Sequence, residues 1–363
     1  MITFILGTKA QYIKTTPIML ELRRRNVAYN FVDTGQHSNI TPDILKVFGL
    51  GEPDVRLTKG AGNVSSFAGS IFWFFKIIFS AVRKPRLFFE IVFQGKKGVC
   101  VIHGDTASTI LSLILAKRFS LKVAHIEAGL KSESFFNPFP EEIIRSIVSR
   151  NSDLLFAPGD SEVSNLKKLK VKGEIINTQG NTGRESLFHI LKSPGKTTPP
   201  TTPYILVTLH RFETIRSKKR LEFISRLVKE ASSKFNVLFV LHEPTRIMLE
   251  KSGLMDNLKE IPGVEITPLQ NYPTFLKLLE KAEFVMTDGG SIQEECFYLG
   301  KPCLILREKT ERLDGLGENA RLLKFNHKTF EEFLNNYQEY GREVQALLTS
   351  PSKTIVEKLS EYA

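Results

Sequence analysis

Residues 287–308 have the sequence TDGGSIQEECFYLGKPCLILRE. The apolar strand predicted at 283–288 ends in Thr287 and Asp288, two glycines and a serine follow, a helix carries two adjacent glutamates, and a second apolar strand begins at Cys303. A strand that passes through glycines into a helix and on to another strand is the unit from which parallel α/β sheets are built. The stretch therefore predicts parallel α/β layers.

The same alternation extends in both directions from this stretch. Apolar or β-branched runs that predict strands lie at 2–7, 30–35, 98–105, 122–129, 153–158, 174–180, 204–210, 236–242, 264–269, 283–288 and 303–308. Residues 193–203, SPGKTTPPTTP, lack apolar periodicity and predict a linker, whereas residues from about 328 predict helices. We therefore expect an α/β protein with two doubly wound domains, 1–192 and 204–345, facing each other across a cleft.

The composition is that of a globular protein with an anionic partner. The 363 residues include 50 Lys and Arg against 39 Asp and Glu, which gives a net charge of +11. The charge is spread along the chain without a nucleic-acid motif, so we do not expect nucleic-acid binding. Cys100, Cys296 and Cys303 have no metal-site spacing, and no signal peptide is apparent, so we expect reduced thiols and a cytoplasmic protein.

Residues 65–97 depart from the alternation. They combine many aromatic residues with Lys76, Arg83, Lys84, Arg86, Lys96 and Lys97. Basic residues interrupt the stretch too often for a membrane span. We expect a helix pair buried in the domain or in a dimer contact, and peripheral membrane contact is the alternative.

The start of the helix near Ser291 predicts an anion site. Backbone N–H groups at a helix N-terminus attract anions, and Gly289 and Gly290 allow a close approach. Ser291 and Glu294 have the spacing of a capping box, which by itself would explain the motif as a helix start. Glu295 is not needed for the cap and is placed to accept hydrogen bonds from a ribose, so a nucleotide diphosphate would account for both features.

Acidic residues follow or open several elements of the first half. Asp105 and Glu127 end strands, and Glu141 with Glu142 opens a helix. Any one of them could be a solvated or capping group, but together at one sheet edge they fit proton removal and return.

Basic groups complement these acids. His210 and Arg211 end the first strand of the second half, and Lys9 and Lys14 follow the first strand of the chain. We expect the first pair to face the acids and the lysines to lie near a pyrophosphate.

Seven ordered motifs resemble one enzyme family, the UDP-N-acetylglucosamine 2-epimerases, and most closely its non-hydrolysing branch. They are VIHGDTAST, HIEAGLKS, PFPEEIIRSI, QGNTGRESL, VTLHRFE, TDGGSIQEECFYLGKP and REKTERLDGL. The resemblance covers residues 2 to about 325. It implies the GT-B architecture of two Rossmann-like domains, a homodimer, and a C-terminal helix at about 346–363 that packs back on the first domain.

The resemblance also implies a reaction and its residues. In this family the C2 proton is removed and UDP leaves by anti elimination, and UDP then adds back with the proton on the other face. No metal or other cofactor is required. Asp105, Glu127 and Glu141 would be the acid/base set, with His210 near the leaving diphosphate. The substrate-binding set would be Lys9, Lys14, Arg145, Arg211, His242, Gly289, Gly290, Ser291, Glu295 and Arg312.

The sequence departs from the family pattern at a few positions. The usual Gly-Thr-Arg-Pro-Glu is Gly7-Thr8-Lys9-Ala10-Gln11, so a point charge replaces a planar guanidinium at residue 9. The usual Ser-Gly-Gly is Gly289-Gly290-Ser291, and Ser38 replaces an arginine near the segment where bacterial members bind an activating substrate molecule. A modified or uronic UDP-sugar would be compatible with these differences.

Other functions remain open from the sequence alone. A hydrolysing epimerase would release UDP and N-acetylmannosamine, and residues 11–13 fit that branch only in part. A GT-B glycosyltransferase acting on a lipid acceptor would not need three carboxylates. A nucleotide-sugar-binding protein without turnover, or a nucleic-acid binder, is the alternative outside enzymes.

Overall fold

The computed structural model describes residues 1–36, 41–58, 67–131, 141–193, 199–310, 312–344 and 349–362. The chain divides into two compact units, the first comprising Met1–Ile190 with Leu347–Ala363 and the second Leu191–Ala346. Ser38 lies outside the described residues, so the departure noted there has no structural account.

The first unit is built on a parallel sheet. Its strands are β1 (Ile2–Leu6), β2 (Tyr29–Asp33), β3 (Val55–Arg56), β4 (Val99–His103), β5 (Lys122–Ile126), β6 (Leu154–Ala157) and β7 (Glu174–Asn177). Their order in the sheet is β3-β2-β1-β4-β5-β6-β7, and every pairing given by the described residues is parallel.

Helices connect these strands. They are α1 (Lys9–Arg24), α2 (Thr41–Val47), α3 (Phe67–Arg83), α4 (Pro85–Phe93), α5 (Ala107–Arg118), α6 (Glu141–Asn151), α7 (Asp160–Lys168) and α8 (Thr182–Lys192). The central strands are apolar and fully buried, as parallel strands covered on both faces must be.

The second unit repeats the plan. Its strands are β8 (Tyr204–Leu209), β9 (Asn236–Leu241), β10 (Val264–Pro268), β11 (Val285–Thr287), β12 (Cys303–Ile305) and β13 (Ala320–Leu322), in the sheet order β10-β9-β8-β11-β12-β13. Its helices are α9 (Phe212–Ile215), α10 (Lys218–Ser232), α11 (Glu243–Lys251), α12 (Met255–Lys259), α13 (Tyr272–Lys281), α14 (Gly290–Tyr298) and α15 (His327–Asn336), followed by a 3-10 helix at Tyr337–Tyr340.

The last helix, α16 (Pro351–Ser360), belongs to the first unit and packs against α1. Arg25 at the end of α1 pairs with Glu357 at 3.2 Å, and Glu185 accepts hydrogen bonds from the hydroxyls of Ser350 and Ser352. The end of the chain is thereby tied to its first helix and to α8.

The predicted α/β class with two Rossmann-like sheets is confirmed. In both sheets the strand order reverses beside the first strand of the unit, and ligands of such sheets bind at the carboxyl ends of the strands near that point. Strands β3 and β13 were not predicted; with two and three residues they are too short to show a period in the sequence.

Residues 67–93 form a helix pair, as predicted for this segment, but only one side of the pair is buried in the first unit. Trp73, Ile77 and Ala81 of α3 and Phe88 and Val92 of α4 are buried in the core of the first unit. Among the described residues, every helix is too short or too polar to cross a membrane.

Candidate active-site residues in the two units

Asp105 and Glu127 lie at one edge of the first sheet. Strands β4 and β5 are neighbours, with His103 opposite Ile126, and each is followed within two residues by one of the carboxylates. Parallel strands end at a common edge, so the topology brings together two acids that are 22 positions apart in the sequence.

Glu127 is held by groups from three elements. Its backbone has φ +61°, a left-handed conformation that is uncommon for a residue with a side chain and is concentrated at functional sites. The Lys14 ammonium contacts its Oε1, Asn181 Nδ2 donates to the same oxygen at 2.6 Å, and His103 Nε2 lies 3.4 Å from Oε2. The carboxylate is almost fully buried, and these contacts fix its direction.

Asp105 is paired with Arg145 of α6. The arginine donates from Nε to Asp105 Oδ2 at 2.6 Å, and a second guanidinium nitrogen lies 2.5 Å from the same oxygen. Glu142 also accepts from Arg145, at 3.1 Å. Arg145, predicted to bind the substrate, and Lys14, predicted to lie near a pyrophosphate, are therefore both found paired with the predicted catalytic acids.

Glu141 begins α6, as predicted, and its placement differs from that of the other two acids. Its Oε2 atom is buried and has no hydrogen-bond partner among the described residues. A buried acceptor without a partner is costly, so this oxygen is available to a ligand or a water molecule.

The turn between β1 and α1 is organised by Gln11. Lys9 is the first residue of α1, and the Gln11 side chain is buried and accepts from the backbone N–H groups of Gly7 and Thr8 at 2.8 and 3.1 Å. It also donates to the carbonyl of His103 at 2.9 Å. Gln11 thus connects this turn to the end of β4, two residues before Asp105.

In the second unit Asp288 organises the end of β8. It is fully buried, and its two carboxylate oxygens accept from the backbone N–H groups of His210 and Arg211 at 2.9 and 3.0 Å. Burial raises the pKa of Asp288, and these two hydrogen bonds act against that rise. The His210 ring stacks on His242, with centroids 4.9 Å apart, so His242, which caps α11, joins this group.

The predicted capping box at Ser291 is wrong. Helix α14 begins one residue earlier, at Gly290, and its N-cap is Gly289 in an extended conformation. Ser291 lies inside the first turn with its side chain exposed, where its hydroxyl cannot cap the helix. Glu294 instead accepts from the Tyr298 hydroxyl at 2.8 Å and pairs with Arg312 at 2.9 Å.

Two arginines flank the start of α14. A methyl group placed on Gly290 would lie 3.3 Å from Arg312 Nε and 3.4 Å from a guanidinium nitrogen of Arg211. On Gly289 it would lie 2.5 Å from the His210 ring. The first turn of a helix exposes backbone N–H groups, and with two guanidinium groups and a histidine beside it this helix start can bind a multiply charged anion.

Glu295 is paired with Tyr272, the first residue of α13. The phenol donates to Glu295 Oε1 at 2.8 Å, and both side chains are buried. Burial, reinforced by the nearby Glu295 carboxylate, raises the pKa of Tyr272 well above its usual value, so the phenol keeps its proton and remains a donor.

Asn181, Asp288 and Tyr272 were not among the predicted site residues. Asn181 and Asp288 stand inside motifs that were recognised, QGNTGRESL and TDGGS, which is the signal that could have identified them. Tyr272 lies outside every recognised motif, and only the packing of α13 beside α14 reveals its contact with Glu295.

A group of metal-ligand type also occurs in the described residues. Glu230, His327 and Glu331 have ligand atoms within 4.8 Å of one another, and the group is exposed or half-buried. His327 Nε2 lies 2.7 Å from Glu230 Oε2, so a hydrogen bond between these two side chains accounts for their proximity.

Comparison with known proteins decides the family. The model of the UDP-N-acetylglucosamine 2-epimerase family matches residues 20–348. The chain belongs to the UDP-N-acetylglucosamine 2-epimerase family. The resemblance predicted from seven motifs is thus confirmed, and with it the prediction of an epimerase of nucleotide sugars.

Relatives of the family are similar over most of their length. The UDP-N-acetylglucosamine 2-epimerase of Methanococcus maripaludis is 30% identical over 338 residues, 89% of this chain and 87% of the relative. The UDP-2,3-diacetamido-2,3-dideoxy-D-glucuronate 2-epimerase of Pseudomonas aeruginosa is 28% identical over 330 residues, which are 88% of this chain and 86% of the relative.

Two solved epimerases share the fold. The Methanocaldococcus jannaschii enzyme, in complex with UDP-GlcNAc and UDP, matches with a TM-score of 0.82 at 27% identity, and 99% of each chain is covered. The Neisseria meningitidis enzyme bound to UDP-GlcNAc matches with a TM-score of 0.83 at 26% identity, and again 99% of each chain is covered.

Proposed function

We propose that this chain interconverts UDP-N-acetylglucosamine and UDP-N-acetylmannosamine by the non-hydrolysing route. The observation that carries the proposal is the pair of buried or half-buried carboxylates, Asp105 and Glu127, at adjacent strand ends, each held by a cation. Solved relatives of this chain contain UDP-GlcNAc.

The proposed reaction assigns proton transfer to the first unit. One carboxylate of the set Asp105, Glu127 and Glu141 takes the C2 proton, the C1–O bond breaks, and UDP leaves with the bonding electrons to give a 2-acetamidoglucal. UDP then attacks C1 again while C2 is protonated from the opposite face. Two acids of opposite protonation state are what such an exchange requires.

The second unit is proposed to bind UDP. The start of α14 with Arg211 and Arg312 would hold the diphosphate, His210 with His242 would lie near its developing charge, and Glu295 would accept from the ribose hydroxyls. The flanking arginines and the buried Tyr272–Glu295 pair support this assignment. Lys9, at the start of α1, would add a point charge for the phosphates.

A uronic UDP-sugar is the second candidate substrate, because the Pseudomonas aeruginosa relative, named for such a substrate, is nearly as similar as those named for UDP-GlcNAc. A homodimer in the cytoplasm belongs to the same proposal and is tested by light scattering and fractionation. Contact of residues 65–97 with a membrane surface, the alternative that the sequence left open, is not part of this proposal.

The test is proton NMR of the purified protein with UDP-N-acetylglucosamine in deuterated water. Deuterium at C2 with growth of UDP-N-acetylmannosamine supports the proposal. Free N-acetylmannosamine with UDP moves the assignment to the hydrolysing branch. Absence of exchange with this sugar and also with the diacetamido uronate would overturn the proposed chemistry.

A further inference from the structure

We propose that Gln293 is a positioning residue for the diphosphate site, because its amide holds the backbone of Arg312 against α14. Gln293 belongs to α14, and its side chain is fully buried. The inference rests on the proposed function, in which Arg312 binds the diphosphate, and it adds a residue that acts only through that arginine.

The polar atoms of the Gln293 side chain all hold one short segment. Nε2 donates to the carbonyl oxygens of Arg312 and Asp314 at 3.1 and 2.8 Å, and Oε1 accepts from the Thr310 hydroxyl at 2.9 Å. Thr310, Arg312 and Asp314 lie between β12 and β13, outside the helices and strands given above. Bonds of this kind, rather than a helix or a strand ladder, therefore position their backbone.

The backbone and the side chain of Arg312 are both held. Its N–H donates to Thr310 Oγ1 at 3.3 Å, and its carbonyl accepts from Gln293. One guanidinium nitrogen lies 2.9 Å from a carboxylate oxygen of Glu294, and Nε lies 3.3 Å from the position of a methyl group on Gly290. Since Gly290 and Glu294 are about one turn apart, the guanidinium lies along the first turn of α14, where backbone N–H groups attract an anion.

Glu294 is held in turn by Tyr298, one turn further along the helix. The phenol donates to Glu294 Oε1 at 2.8 Å, while Arg312 pairs with Oε2. Burial, reinforced by the Glu294 carboxylate, raises the pKa of Tyr298 well above its usual value, so the phenol remains a donor. A guanidinium has five N–H donors, so the pair with Glu294 is compatible with hydrogen bonds from Arg312 to an anion.

The arrangement bears on affinity because a long side chain loses rotamer freedom when it binds a ligand. An Arg312 whose backbone and guanidinium are already placed loses less of that freedom. Removal of the hydrogen bonds of Gln293 should therefore weaken diphosphate binding, and the weakening should depend on the presence of Arg312.

The test is the affinity of the purified chain for UDP, measured by titration calorimetry in a double-mutant cycle. Gln293→Met is similar in length, stays neutral and removes the three hydrogen bonds. Arg312→Met should weaken UDP binding about tenfold to hundredfold, as expected for loss of a hydrogen bond from a charged group. We expect Gln293→Met to weaken binding at least about fivefold in the unmodified chain but less than about twofold in the Arg312→Met background.

A second variant removes the same contact from the other side. Thr310→Val keeps the shape of a half-buried side chain and removes the hydroxyl that bonds both Gln293 and Arg312. It should weaken UDP binding, again only while Arg312 is present, and it decides the question if Gln293→Met does not fold. Tyr204→Phe is the control, because it removes another buried side-chain bond to a backbone carbonyl of the same unit and should leave UDP affinity unchanged.

The outcomes separate this inference from the function on which it rests. Failure of the unmodified chain to bind UDP would overturn both. Binding of UDP with unchanged affinity in Gln293→Met and Thr310→Val would overturn the positioning role alone. Equal losses with and without Arg312, in variants whose unfolding transition matches that of Tyr204→Phe, would do the same, because Gln293 would then act on the site without Arg312.

Discussion

Asn181 Nδ2 donates a hydrogen bond of 2.6 Å to Glu127 Oε1, the oxygen that also contacts the Lys14 ammonium. The amide is itself oriented, because its Oδ1 accepts from the backbone N–H of Gly183 at 2.9 Å. Asn181 precedes α8 and Glu127 follows β5, so the contact joins two segments of the first unit that are 54 positions apart. We infer that Asn181 is a positioning residue for a catalytic carboxylate.

Asn181→Asp should therefore lower turnover while the fold is retained. The new carboxylate keeps the acceptor for Gly183 but places a like charge beside Glu127, which favours the protonated form of the pair. We expect kcat at neutral pH to fall at least about tenfold, with the rising limb of the pH–rate profile moved to higher pH and KM little changed.

The matched control for this change is Asn177→Asp. Asn177 also donates to a carboxylate, at 2.7 Å, and accepts from a backbone N–H two residues later, but its carboxylate partner is Asp160 and not Glu127. An Asn181→Asp enzyme whose pH–rate profile coincides with that of the control would show that Asn181 has only a structural role.

Asp105→Asn and Glu127→Gln should each abolish turnover with the fold retained. Both substitutions preserve shape and remove the group that carries the proton, so a loss of about a hundredfold or more is expected. The measurement is C2 exchange in deuterated water, with circular dichroism as the check on folding. Near-normal exchange in both variants would defeat the acid/base assignment.

Gly289→Ala tests the position of His210. The backbone of Gly289 has φ −87°, which alanine adopts without strain, but the added methyl would lie 2.5 Å from the His210 ring and must displace it. We expect turnover to fall while the unfolding transition is nearly unchanged. Gly51→Ala is the control, because the added methyl there would come no closer than 3.9 Å to its nearest neighbour. Equal activity of the two variants would remove His210 from the reaction.

Tyr272→Phe tests the buried pair that is proposed to hold the ribose. Loss of the 2.8 Å hydrogen bond leaves Glu295 less well oriented, so KM for the UDP-sugar should rise by about tenfold while kcat changes little. Tyr204→Phe removes another buried hydroxyl of the same unit, bonded to the Leu278 carbonyl at 2.7 Å, and should leave KM unchanged. A similar KM in both variants would argue against the role of Glu295.

The parts of the site that the sequence predicted are those fixed by topology. Asp105 and Glu127 follow apolar strands, and once the sheet is parallel their edge is determined. Asn181 and Tyr272 could not be predicted in this way, because their contacts depend on how segments far apart in sequence pack. The capping box at Ser291 failed for a local reason: Gly289 supplies the extended N-cap, which moves the helix start by one residue.

His125 should make the first unit less stable in acid. It is buried on β5, where its Nε2 lies 2.9 Å from the Gly104 carbonyl, and burial lowers its pKa to about 4. The unfolded chain binds this proton near pH 6.5, about its ordinary pKa. Between about pH 4 and pH 6.5 the unfolded state therefore binds more protons than the folded state. The stability that neutral, buried His125 contributes is fully present above about pH 6.5 and is lost as the pH falls to about 4. The loss is about 3 kcal/mol.

His125→Gln keeps a donor for Gly104 but does not titrate, so the free energy of unfolding of this variant should fall less steeply with acid than that of the unmodified chain. Trp73 is the only tryptophan and lies in the core of the first unit, so its fluorescence during urea unfolding reports on the unit that contains His125. The other histidines are common to both proteins, and their contributions cancel in the comparison. Identical slopes between pH 7 and about 4 would mean that His125 is protonated in the folded state at the same pH as in the unfolded chain.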